Sequence, residues 1–126
     1  STPAEMVRLL EIADKKELFD PIYKNFLWNT MIATSTGSNK LKGLLPSNAI
    51  VGHKTGSSDR TSEGVKIADN DAGVVIMPDG KKYYIAVFVM NSRETDDENA
   101  AIIARISRMV YDEYLSENYI SQEGER

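Results

Sequence analysis

Five consecutive residues carry the densest side-chain chemistry in this chain: Lys54, Thr55, Gly56, Ser57 and Ser58. An ammonium followed by hydroxyls is a set of hydrogen-bond donors suited to holding an anion. The Lys-Thr-Gly triplet alone is a weak signal, because any tripeptide recurs by chance, so its meaning depends on the elements around it. Other reactive groups are few. The chain has no cysteine, which excludes disulfides, Cys-based zinc sites and a thiol nucleophile. His53 is the only histidine. Successive strand residues point to opposite faces, so His53 is expected to face away from Lys54 rather than serve it as a base.

Periodicity and capping signals locate the elements that must position this stretch. Thr2, Pro3 and Glu5 form a capping box, after which Met6, Leu9, Leu10 and Ala13 recur at helical spacing. Asp20-Pro21 opens a second helix with Tyr23, Phe26, Leu27, Thr30 and Met31 on one side, fading before Gly37. An irregular connection follows, with an apolar knot at Leu41, Leu44 and Leu45. Residues 49–54 read as a strand, and residues 57–64 as a polar loop. Two further strands, 73–77 and 83–90, flank the turn Pro78-Asp79-Gly80 and make a hairpin. Tyr83, Tyr84 and Phe88 are read as sheet packing. Thr95 and Glu98 cap a last helix whose buried stripe is Ile102, Ile103, Ile106, Met109, Val110 and Tyr114. Asp96 and Asp97 put negative charge at its positive end. The expectation is one α+β segment: helices and connection over 1–48, three antiparallel strands over 49–90, a helix over 95–117, and a frayed tail over 118–126.

The composition narrows the function class. An apolar fraction of 41% and a charged fraction of 27% are those of a globular domain rather than a disordered one. A net charge of -4 leaves no basic field to hold nucleic acid or an anionic membrane. Arg105 and Arg108 share a helix but have acidic neighbours, which reads as a solvated face. The longest apolar run, 83–90, is too short to span a bilayer. A first residue, Ser1, that already lies within a helix-start signal suggests a chain cut from a longer one.

Beyond the triplet, the chain resembles the class A serine β-lactamases over Ser1 to about Tyr114. The resemblance rests on Thr36-Gly37, Leu41-Lys42-Gly43-Leu44-Leu45-Pro46, Val51-Gly52-His53-Lys54-Thr55-Gly56-Ser57-Ser58, Asn70-Asp71 and Pro78-Asp79-Gly80. Similarity is closest to the cephalosporinase and extended-spectrum branch. It implies the carboxy-terminal part of the β-lactamase/transpeptidase-like α/β/α fold. Lys54 would then help hold the carboxylate of a β-lactam and poise nearby proton transfers, with Thr55 donating its hydroxyl to that carboxylate. Gly56 would let the ligand approach the strand backbone. Ser57 would give its backbone N–H to half of an oxyanion hole, and Ser58 would face the ligand along the same edge. Where this branch tends to carry an arginine, the chain has Lys40, a point charge without the bidentate fork. Lys40 therefore has a substrate-binding reading beside a plain solvated one, and Arg60 is a rival for the carboxylate.

The same resemblance implies what the chain lacks. No serine here has a lysine three residues on, so the Ser-x-x-Lys nucleophile motif is absent; Ser58-Asp59-Arg60 only imitates the start of Ser-Asp-Asn. The family's deacylating glutamate lies upstream of the segment that this chain matches. The expected parent is a periplasmic or envelope β-lactam hydrolase, with the chain inactive alone and its missing amino-terminal half as partner. No metal or organic cofactor is implied. In the family, two amino-terminal strands lie beside the strand at 83–90, so the chain without them is expected to self-associate by edge pairing or segment exchange. Two other readings share the triplet: a penicillin-binding transpeptidase or carboxypeptidase fragment, and a non-catalytic interaction module on the same scaffold.

Overall fold

The computed structural model describes residues 1–16 and 19–124. Its elements run α1 (Pro3–Lys15), α2 (Pro21–Ile32), β1 (Ile50–Ser57), β2 (Lys66–Ile76), β3 (Lys82–Ser92) and α3 (Asp96–Gly124). This is the expected α+β arrangement of three antiparallel strands with flanking helices, in the order β1-β2-β3. The register places Lys54 opposite Ala72, Thr55 opposite Asp71 and Ser57 opposite Asp69. The β2–β3 hairpin closes over Pro78-Asp79-Gly80, where Gly80 takes φ 89° and its N–H donates to Met77 O at 2.9 Å. A positive φ of that size suits glycine.

The α1 capping box is complete. Glu5 N–H donates to Thr2 Oγ1 at 3.1 Å, and Thr2 N–H donates back to Glu5 Oε2 at 2.9 Å. At α3, Glu98 N–H donates to Thr95 Oγ1 at 3.1 Å. The main core lies between the sheet and α3, where Val51, Val75, Tyr83, Ile85 and Ile103 bury their side chains together with Leu41. Tyr83 stacks on Tyr114, with ring centroids 4.4 Å apart. Burial of such apolar area is the main favourable contribution to folding, about 25 cal/mol per Å².

Several boundaries and faces differ from the sequence reading. The second strand starts at Lys66 rather than at 73, because Lys66, Asp69 and Asp71 find buried charged or polar partners that let a polar stretch pair on both sides. The α3 stripe is rotated. Its inner face is Ala100, Ile103, Ala104, Ser107 and Tyr111, whereas Ile106 and Met109 point outward at 40% and 70% exposure. Small residues let this helix sit close to the sheet, and Ser107 Oγ donates to Leu41 O at 2.7 Å. The α2 stripe is not buried: Tyr23 and Phe26 are exposed, and Ile32 and Met31 in the last turn are what approach Gly52. Leu44 lies outside the expected knot at 51% exposure. Helix α3 continues to Gly124, through most of the expected tail, since helix propagation needs no apolar stripe; residues 125–126 lie outside the described residues.

Candidate functional site

Residues 54–58 close β1, and the ladder decides where their backbone groups point. Ser58 N–H donates to Ala68 O at 2.9 Å. Antiparallel pairs alternate between bonded and non-bonded, so Ser58, Gly56 and Lys54 bond toward β2. The N–H of Ser57 therefore points away from β2, off the outer edge of β1, where among the described residues no strand takes it. Side chains alternate in the perpendicular sense. Lys54 and Gly56 share one face with Asn70 and Ala72, while His53, Thr55 and Ser57 share the other with Asp69 and Asp71.

Lys54 is exposed, with its Nζ donating to Thr55 O at 2.6 Å, and His53 is fully buried, so the two face apart as expected. A cavity of about 500 Å³, mostly apolar, opens beside Lys54; Met6, Leu10, Met31 and Phe88 line it. Phe88, read as sheet packing, thus also walls the space beside Lys54. A Cβ on Gly56 would meet no atom within 4 Å, so the backbone there faces open space. Ser58 is committed locally: its Oγ donates to Asp59 O at 3.0 Å and accepts from Ala68 N–H at 3.0 Å.

On the opposite face lies a second cavity of about 240 Å³, bordered by Gly37, Lys40, Thr55, Ser57, Lys66 and Asp69. Lys40 is buried, with its Nζ 2.6 Å from Asp69 Oδ1 and 3.5 Å from Ser57 Oγ. The plain solvated reading of Lys40 does not hold. Arg60, the rival cation, turns to the start of α3, where it meets Asp96 at 2.8 Å and donates to Glu94 O at 2.6 Å. Gly37, at φ 70°, lets the connection close on this wall, because a Cβ there would lie 2.4 Å from Thr55 Cγ2.

Two carboxylates that carried no role in the sequence reading organise this side. Asp69 accepts from Lys40, from Ser57 Oγ at 3.1 Å and from Asn99 Nδ2 at 3.4 Å, with Lys66 Nζ at 3.5 Å. Burial pushes the Asp69 carboxyl up, but the hydrogen bond and charge of Lys40, with help from Lys66 and Ser57, hold it below the usual carboxylate range. Lys66 is raised, chiefly by its bond to Asp96. Asp71 accepts from Leu41 N–H at 3.1 Å and faces His53 Nδ1 at 2.9 Å. The signal available in the sequence was parity: Asp69 and Asp71 are two apart on one strand and must share a face.

A donor-bearing strand edge with a paired cation on its flank fits what the comparisons find. The model of the beta-lactamase enzyme family matches residues 1–114. The chain belongs to that family. It is 70% identical to a beta-lactamase of Bacteroides uniformis, a match covering 89% of this chain and 38% of that protein. Beta-lactamase VEB-1 of Pseudomonas aeruginosa is 42% identical, over 92% of this chain and 39% of that protein. The crystal structure of a class A beta-lactamase from Bacteroides cellulosilyticus superposes with a TM-score of 0.86 at 70% identity, covering 89% of this chain and 40% of that one. The fold is that of the class A enzymes, and the chain spans about 40% of the length of these relatives.

Proposed function

We propose that this chain supplies the substrate-binding wall of a class A β-lactam hydrolase that opens cephalosporins and penicillins through a serine acyl-enzyme. The observation that carries the reading is the Ser57 N–H projecting off the free edge of β1 beside Lys54 and Thr55. In this reading Lys54 holds the substrate carboxylate and steadies proton transfer, and Thr55 donates its hydroxyl to the same group. Gly56 keeps the strand open to the ligand, and Ser58 braces the edge through its bonds to Asp59 of the loop and Ala68 of β2. Lys40 adds a second cation from the far side of the sheet. The Ser57 N–H supplies half of an oxyanion hole, a donor whose loss costs roughly 10²–10³ in rate. No cofactor enters this chemistry.

The attacking hydroxyl and its base come from sequence that this chain does not contain, since none of its serines is followed by lysine at the third position. The chain alone is therefore inactive. Its partner is the amino-terminal portion of the same enzyme, exported to the periplasm or envelope. No helix among the described residues is long and apolar enough to cross a membrane. The test is nitrocefin hydrolysis by the chain alone, then by the chain joined behind the amino-terminal part of the Bacteroides uniformis relative. Silence followed by turnover is expected. Turnover by the chain alone, or acylation of it by a labelled penicillin, would overturn the reading.

A further inference from the structure

We propose that Asp69 is a positioning residue for carboxylate recognition: at the border of the smaller cavity it fixes the Lys40 ammonium in place for an incoming carboxylate and holds the Ser57 hydroxyl proton turned toward itself. The proposal rests on the hydrolase reading and assigns that site a residue with no role in it so far.

The geometry sets out the argument. Asp69 is 1% exposed at the border of the cavity, and Lys40, paired with it at 2.6 Å on the same border, is the group that can offer a cation to a carboxylate. One oxygen, Oδ1, receives both Lys40 at 2.6 Å and Ser57 Oγ at 3.1 Å. The other, Oδ2, faces Lys66 and Asn99, and Asn99 is itself held by Ser92 Oγ at 2.6 Å. A carboxylate gripped from both sides cannot rotate, so the groups it holds are fixed too. The Ser57 hydroxyl proton is directed at Asp69, and Lys40 Nζ also reaches Ser57 Oγ at 3.5 Å and Asn70 O at 3.4 Å, long contacts that an incoming carboxylate would replace.

Net charge alone does not make the site. Two ammoniums, Lys40 and Lys66, and three carboxylates, Asp69, Asp96 and Asp97, border the cavity, so its attraction for an anion lies in the position of Lys40. Arg60 balances Asp96 from the loop. Without Asp69, two buried ammoniums would face one another with no ion between them, and Lys40 would swing out. The cation that recognises the substrate is therefore available in a fixed place only while a second, deeper anion holds it.

The experiment uses the whole chain joined behind the amino-terminal part of the Bacteroides uniformis relative. KM and kcat are measured for one cephalosporin with a free carboxylate and for its methyl ester. In Asp69→Asn, KM for the acid is expected to rise about tenfold, well beyond any fall in kcat, with the ester unaffected. Should Asp69→Asn fail to fold, the Lys66→Met/Asp69→Thr double variant removes an ammonium with the carboxylate and suits a strand; the same split is expected. An unchanged KM for the acid, or equal losses on acid and ester, overturns the proposal while the hydrolase reading stands. A joined enzyme with Asp69 intact that hydrolyses neither compound overturns both.

Discussion

A Cβ placed on Gly37 would sit 2.4 Å from Thr55 Cγ2, so the connection before β1 touches the strand that carries Lys54 at a point where only hydrogen fits. Gly37 also takes φ 70°, a conformation that other residues adopt at a cost. Gly37→Ala in the joined enzyme should therefore lose about 1–3 kcal/mol and raise KM, because Thr55 must move. Thr55→Ser removes the offending methyl and keeps the hydroxyl. Adding it to Gly37→Ala should restore part of both losses, the remainder being backbone strain. Urea midpoints and KM for the four proteins of this cycle check the claim; an unaltered Gly37→Ala midpoint would contradict it.

Asp14 ties α1 to β3. Its buried carboxylate lies 2.5 Å from Lys82 Nζ and accepts from Tyr84 Oη at 2.5 Å, with Lys24 of α2 at 3.7 Å. Burial pushes this carboxyl up, but the Lys82 and Tyr84 bonds and the lysine charges hold it below its ordinary value. The unfolded chain thus binds the proton first, and stability from this group is full above the unfolded carboxylate pKa of about 3.9 and is lost as pH falls through the lower folded value. Asp14→Asn should cost about 1–3 kcal/mol at neutral pH and flatten the acid limb of the stability profile. Thermal melts of both proteins between about pH 6 and about pH 2 measure it. Parallel acid limbs would remove Asp14 from the account.

Strand β3 is an outer strand of the sheet, with Met90 exposed at 69% near its end. Among the described residues no strand pairs with its outer edge, so its unpaired N–H and C=O groups template a neighbour. The chain alone should elute as a dimer or larger species, and Met90→Lys should move it toward monomer. Light scattering across a concentration series decides this, and a monodisperse monomer at the highest concentration would end the idea.

What could be read from the residues in order was local. The Thr2–Glu5 box, the Pro78-Asp79-Gly80 hairpin and the strand carrying Lys54 all follow from signals within a few residues of one another, and each is present. The misread features depend on contacts across the sheet. Lys66 and Asp71 look like loop residues until their partners, 30 positions away, are in place. Lys40 and Asp69 are 29 residues apart, and no periodicity announces an ion pair at that range. The α3 face went wrong for a related reason: apolar content marked Ile106 and Met109 as inner, whereas close approach to the sheet favours Ala100, Ala104 and Ser107.

Lys40, Asp69, Lys66, Asp96 and Arg60 form a row of alternating sign that runs from the smaller cavity out to the loop after β1. Reversing the charge at one end of such a row sets two like neighbours side by side, and exchanging the end pair only moves that clash one link inward. A charge reversal at the outer, solvent-facing end is therefore felt along the row, whether made singly or as a swapped couple. The loop after β1 is thereby tied, link by link, to the ammonium that borders the smaller cavity.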